Sequence, residues 1–279
     1  MYGAILGDMI GTSYGFGRGK KTKNFLLFSK RSEFTGSTVM TVAVADALLG
    51  TMPDSSESVS GDDFAASMQR WGRKYPDAGY GGMFYQWLWK KHPEPYGSFG
   101  NGSALRVSPV GWLYGSIEKT IRIAELTAAV THNHPEGIRG AKAVAGSIFL
   151  AKTGHSKEEI RKEIMQESGY DLSGTFGEFR PVYRHEESCQ QTVRMAIIAF
   201  MEGNGFEDVI RTAVSFGGDC AVLASIAGSI AEAFYAVPEE MKTECRKRLP
   251  QDMLEVVDRF YKRIPMVSKS VIGTARQAV

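Results

Sequence analysis

Cysteine is scarce in this 279-residue chain: Cys189, Cys220 and Cys245 lie far apart and form no CxxC pair. That excludes a disulfide-built framework and a zinc knuckle, and it fits a reducing compartment. An excess of charge of one sign is also missing. Lys and Arg total 33 against 31 Asp and Glu, a net charge of +2, which gives no electrostatic case for nucleic acid. The short basic stretch Arg18–Lys23 reads as a solvated loop. No apolar run approaches the roughly 18–20 residues of a membrane span. The opening "MYGAILGDMIG" carries Asp8 and lacks a basic leader region, so it does not read as a signal peptide. The expectation is a soluble, cytoplasmic protein with no membrane or nucleic-acid partner.

Sustained strand alternation is absent as well, whereas helical spacing runs throughout. Hydrophobic residues make up 43% and charged residues 23%, enough to bury a sizeable core. Thr38–Leu49 reads as a helix stopped by Gly50. Ser60 with Asp63, and Ser156 with Glu159, read as capping boxes, the second helix stopping at Gly169. Ile117, Ile121, Ala124 and Ala128 share a helical face. Pro135 suits a first helical position. Further helices are predicted at Val193–Glu202, Phe206–Val214, Ala221–Tyr235, Pro238–Leu249 and Pro250–Arg263. The fold class is all-α: one compact helical bundle forming a single domain over residues 1–279.

Small residues crowd two of these helices, at Gly137, Gly140, Ala141 and Gly146, and at Ala221, Ala224, Ala227 and Gly228. Such helices pack closely and belong at the centre, with "GAILGDMIG" as a third. The stretch Tyr75–Ser108 is rich in Gly, Pro and aromatics, and reads as a long functional loop.

Four loop-to-helix junctions stand out. In "EFTGSTVMTVAVADALLG", Thr35, Ser37 or Thr38 caps a helix. In "YGSFGNGSALRVSPVGW", Gly100, Gly102 and Ser103 can present backbone N–H groups to phosphate or ribose oxygens, and Tyr96 or Phe99 could stack on a base. In "VTHNHPEGIRGA", His132 and His134 precede a helix; two residues apart, they share no helical face and do not read as a metal pair. A single His there reads as neutral and hydrogen-bonded. In "SFGGDCAVLASIAGSIAEAFY", Asp219 opens a helix and reads as its cap.

Taken together, these segments resemble the ADP-ribosylglycohydrolase family, the relatives of dinitrogenase-reductase-activating glycohydrolase. The likeness spans nearly the whole chain, through "GAILGDMIGTSYGF", "FTGSTVMTVAVADALL", "YGGMFYQWL", "GSFGNGSALRVSPVG", "VTHNHPEGIRGAKA", "SCQQTV" and the Asp219 segment. The resemblance implies an all-α fold and, in typical members, a dinuclear magnesium centre. Its ligands come from a Thr-Asp-Asp-Thr junction and a Gly-Gly-Asp-x-Asp-Thr junction, beside a first-loop Glu. Here the first junction reads Thr35-Gly36-Ser37-Thr38 and the second Asp219-Cys220-Ala221-Val222, while the first-loop acid is Gly15. Only Thr35 and Asp219 match the donor types.

The expectation is therefore no bound magnesium pair, no metal ligands and no catalytic residues of the family type. The groups that remain for a ligand are Thr35, Ser37, Gly100, Asn101, Gly102, Ser103, Arg106, His132, Gly218, Asp219 and Cys220. They suit an ADP-ribose-like small molecule or an ADP-ribosylated protein. One alternative is a scaffold that keeps only the fold. Another is a hydrolase of ADP-ribosyl bonds with altered chemistry, for which Cys220, at a helix N-terminus, is the candidate nucleophile.

Overall fold

The computed structural model describes residues 1–15, 22–50 and 59–265. Among the described residues there are fifteen helices and no sheet, as the periodicity predicts. The first half holds α1 (Tyr2–Thr12), α2 (Gly36–Leu49), α3 (Gly61–Lys74), α4 (Gly82–Leu88), α5 (Gly102–Leu105), α6 (Ser108–Leu113) and α7 (Ile117–Ala129). The second holds α8 (Pro135–Lys152), α9 (Lys157–Ser168), α10 (Phe176–Phe179), α11 (Cys189–Glu202) and α12 (Phe206–Ser215). It closes with α13 (Cys220–Tyr235), α14 (Glu239–Arg246) and α15 (Gln251–Arg263). The basic stretch at Arg18–Lys23 lies outside the described residues as far as position 21; Lys23 pairs with Asp208 at 2.9 Å.

Local chemistry sets most boundaries. Ser60 with Asp63 and Ser156 with Glu159 form the two expected capping boxes. Pro135 occupies the first turn of α8, with the His134 side chain accepting from the Glu136 amide. Gly169 ends α9 in the left-handed region, whereas Gly50 ends α2 with φ −70°, a stop that needs no glycine. Pro238 and Pro250 act as N-caps, so the helices after them begin one residue later than expected.

The expected loop over residues 75–108 is corrected: it contains α4 and α5, and Ser108 already starts α6. Aromatic side chains are weak helix formers, so periodicity gives little sign of α4. Burial of Trp87 and Leu88 secures it from the inside. Phe84 stacks on Trp87 with ring centroids 5.4 Å apart.

The small-residue helices do lie at the centre. α13 contacts α1, α8, α11 and α12, while α8 contacts α5, α6, α7, α9, α11 and α13. The approach of α1 to α13 is the closest. A Cβ placed at Gly3 would lie 2.1 Å from the Gly228 carbonyl oxygen, one at Gly7 2.1 Å from the Ala224 oxygen, and one at Gly11 2.4 Å from Ala221 Cα. The pairing runs backwards along α13, so the helices are antiparallel. Residues 2–11 of α1 are all buried.

Gly7→Ala is expected to destabilise the protein by about 3 kcal/mol or more, because backbone cannot yield as a rotamer can. Gly115→Ala, where an added methyl meets open space, is expected to stay within about 0.5 kcal/mol. Denaturant unfolding of the two variants checks both.

Candidate functional site

The site grows from one carboxylate. Asp8 is fully buried in an otherwise apolar helix, and such a group must find partners. It accepts from the Thr35 amide at 2.8 Å, the Thr35 hydroxyl at 2.6 Å, the Thr38 amide at 3.2 Å and the Thr38 hydroxyl at 2.6 Å. Burial pushes its pKa up, and the bonds from Thr35 and Thr38 pull it back. Asp8 thereby fixes the N-terminus of α2, whose N-cap is Thr35, with the Thr35 side chain also accepting from the Ser37 amide. The sequence reading used Asp8 only against a leader peptide. Its signal was present all the same: a lone acid among apolar residues requires a buried partner.

Three residues further along α1, the second junction arrives. The Cys220 thiol donates to the Gly11 carbonyl at 3.4 Å, and Gly217 and Gly218 turn into α13 with φ of 78° and 61°. The Asp219 side chain makes no well-formed cap on its own helix, which corrects the expected cap. It accepts instead from Asn101 Nδ2 at 3.3 Å. Burial raises the Asp219 pKa, and the Asn101 bond opposes this.

The third segment, α5 and the turn before it, bridges the other two. The Thr41 hydroxyl reaches the Leu105 carbonyl at 3.4 Å, tying α5 to α2. Asn101 also donates to the Thr192 hydroxyl at 3.2 Å, and its amide to the Glu187 carbonyl at 2.7 Å. Gly100 pairs with Ser188 as an isolated antiparallel bridge. Asn101 and Asp219 thus meet directly, while Thr35 is tied through Asp8 to α1, the helix whose Gly11 receives Cys220.

The remaining predicted residues divide. Ser103 is fully buried and donates to the Gly137 carbonyl at 2.7 Å. Arg106 is 1% exposed and donates to the Thr127 carbonyl at 2.7 Å and the Thr131 hydroxyl at 2.8 Å. Burial lowers its pKa to about 10, and its Nε has no partner. Both side chains brace the frame. Ser37 is buried in the first turn of α2. Cys220 is fully buried, and burial together with Asp219 pushes its thiol up to about 12, the reverse of an activated thiolate.

His132 faces the turn. Its Nε2 would lie 2.9 Å from a Cβ at Gly102 and 3.8 Å from one at Gly100, and its Nδ1 is 2.7 Å from the Thr131 hydroxyl. Burial, with Arg106 nearby, lowers its pKa well below 6.5, so the ring is neutral. Beside the turn, Phe99 is 55% exposed and meets His134 edge-on at 5.6 Å.

Aromatic rings wall this region. Tyr80 lies 5.6 Å from Phe84, the Arg106 guanidinium sits 5.9 Å over Phe84, and Tyr96 is 6.1 Å from His132. Tyr80, which reads from the sequence as a core aromatic, packs against the core beside the first junction. Its ring lies on Gly36, where a Cβ would fall 2.7 Å from two ring carbons. Its hydroxyl is buried without a hydrogen-bond partner. At the other junction, the Tyr183 ring and the Arg184 carbonyl each lie 3.0 Å from the Cβ position of Gly218. Position 15, by contrast, has its nearest neighbour at 4.0 Å. Among the described residues, no group of three or more His, Cys, Asp or Glu side chains is arranged to hold a metal ion. An open groove of about 860 Å³ runs beside Phe34, Tyr75 and Ala78 towards Glu244 and Arg248, and its lining excludes Asn101, His132 and Asp219. No described helix is long and apolar enough to cross a membrane.

Asp8→Ala strands the Thr35 and Thr38 donors and is expected to cost about 3 kcal/mol or more in denaturant unfolding at neutral pH. His132 gives a pH signature. Its folded pKa is depressed, so the unfolded chain takes up more protons as pH falls through 6.5. Stability is then lost on acidification, by up to about 1.4 kcal/mol per pH unit. His132→Gln is expected to flatten that limb of the stability profile.

Comparison with known proteins agrees with this architecture. The ADP-ribosylglycohydrolase family model matches residues 1–269. An uncharacterized protein of Archaeoglobus fulgidus is 32% identical over 154 residues, half of this chain and half of its own length. ADP-ribosylhydrolase ARH3 of Homo sapiens is 26% identical over 329 aligned residues, covering 90% of this chain and 89% of that one. In fold, the chain superposes on an ADP-ribosylglycohydrolase-related protein complex with a TM-score of 0.71 at 22% identity, over 94% of this chain and 95% of the other. With the match running through both junctions and the turn between them, the chain belongs to the ADP-ribosylglycohydrolase family.

Proposed function

We propose that this protein is a non-hydrolysing member of its family that binds ADP-ribose, a related nucleotide or an ADP-ribosylated target without a magnesium pair. The observation that carries the reading is the Tyr80 ring on Gly36: the volume that a side chain at this position would need is filled. A carboxylate there requires Tyr80 to move.

The other donors fit a metal pair no better. Two divalent ions about 3.5–4 Å apart need several carboxylates to offset their repulsion, and magnesium demands near-octahedral oxygen ligation. Asp8 is committed to Thr35 and Thr38, and the Thr35 hydroxyl is committed to Asp8. Asp219 is left as a single carboxylate, partly buried and already bonded to Asn101. The residues present do not fit a dinuclear centre.

The groups that would hold a nucleotide survive in a form that needs no metal. In the Gly100–Gly102 turn the Gly100 amide, expected as a free donor, bonds to Ser98 Oγ and the Asn101 amide to the Glu187 carbonyl. Gly102 faces a neutral His132, and the exposed Phe99 ring stands next to the turn. Neutral donors and an exposed ring suit a ribose, a base and a diphosphate at once. A scaffold role is the second reading, favoured by the inward commitment of Ser103 and Arg106. Nucleophilic chemistry at Cys220 is disfavoured by its burial.

Calorimetric titration with ADP-ribose is expected to show micromolar-range binding unchanged by magnesium, magnesium alone giving no heat. Heat that requires magnesium sinks the metal-free reading, and no heat in either condition leaves the scaffold reading. Gly36→Asp is expected to cost about 1–3 kcal/mol through overlap with Tyr80. The loss should be relieved in the Gly36→Asp, Tyr80→Ala double variant, as a double-mutant cycle by thermal unfolding will read.

A further inference from the structure

Six large hydrophobic side chains are exposed among the described residues, and three of them, Met83, Tyr85 and Trp89, fall on α4 and the residue after it, at 63%, 42% and 53% exposure. Trp87 and Leu88 are turned inward and fully buried, so the helix is anchored while its opposite face stays open. Tyr85 and Trp89 are one turn apart, with ring centroids 6.4 Å from each other. Scattered exposed apolar residues such as Met83 need no explanation, but two exposed rings in contact mark an interaction surface.

Charge gives the face its preference. The Arg73 guanidinium lies 5.8 Å over the Trp89 ring while donating to the Leu88 and Lys90 carbonyls. Lys90 and Lys91 follow Trp89 directly and are exposed. None of these three cations has a carboxylate in an ion pair among the described residues, whereas neighbouring Arg70 and Lys74 pair with Asp46 and Asp252. A second copy of the chain is a poor occupant, since like faces would set these cations against each other. A polyphosphate chain is also a poor fit, because it needs a longer run of cations and Met83 offers no stacking plane.

We infer that the exposed face of α4 docks an acidic segment of a partner protein carrying at least one large apolar residue. The apolar residue packs on the Tyr85–Trp89 pair, and its acidic neighbours meet Arg73, Lys90 and Lys91. The inference does not depend on nucleotide binding.

Selection from a random-peptide display library tests it, with the full chain as bait and its Trp89→Ala variant as counter-bait. The expected winners carry net negative charge and a large apolar residue. Their affinity should fall about tenfold or more in Trp89→Ala, as an aromatic anchor requires. It should fall similarly in the Lys90→Glu, Lys91→Glu variant, and weaken as salt rises. All three positions are exposed, so thermal unfolding of the variants should match the parent. Neutral or basic winners, no enrichment over the counter-bait, or self-association that depends on Trp89 would each overturn the inference.

Discussion

The contact between the backbones of α1 and α13 sets the geometry on which everything else rests. Side chains normally hold helix axes apart, but at Gly3, Gly7 and Gly11 nothing does, and the facing positions on α13 are themselves small. Close approach places the N-terminus of α13 against Gly11. Asp8, three residues earlier and about 4.5 Å along the axis, holds the N-terminus of α2 through Thr35 and Thr38. A single helix thus brings together two junctions that are far apart in sequence, and α5 closes the space between them through Asn101 and Leu105.

Polar groups at this convergence are largely spent on one another. Asp8 satisfies α2, Asn101 ties Asp219 to Thr192, and Arg106 braces the Thr127–Thr131 turn. His132 faces the turn in its neutral form, and the Asp219 carboxylate bonds to the turn's Asn101. At the first junction the Tyr80 ring lies on Gly36, and at the second the Tyr183 ring and the Arg184 carbonyl meet Gly218.

Much of this was legible in the residues. Helical period, capping boxes and small-residue stripes gave the all-α class and the central helices, because these signals act within one element. The meeting of Asn101 with Asp219 was signalled by nothing local. α4 escaped because its helix depends on burial of Trp87 and Leu88, not on intrinsic preference. Asp8 was visible as an acid among apolar residues, but its partners lie 27 and 30 positions away.

By itself, then, the sequence determined most helical elements, the two capping boxes and the residue types at both junctions. Each of these is written in residue type and short spacing. Only the tertiary structure decided which polar groups of these motifs are spent on the frame. Ser103, Arg106 and Cys220 stand in the same motifs as Asn101 and Gly102, yet packing turns them inward. It alone also decided that Tyr80 fills the space beside Gly36. Contacts between residues distant in sequence depend on how helices approach, and no local pattern encodes that distance.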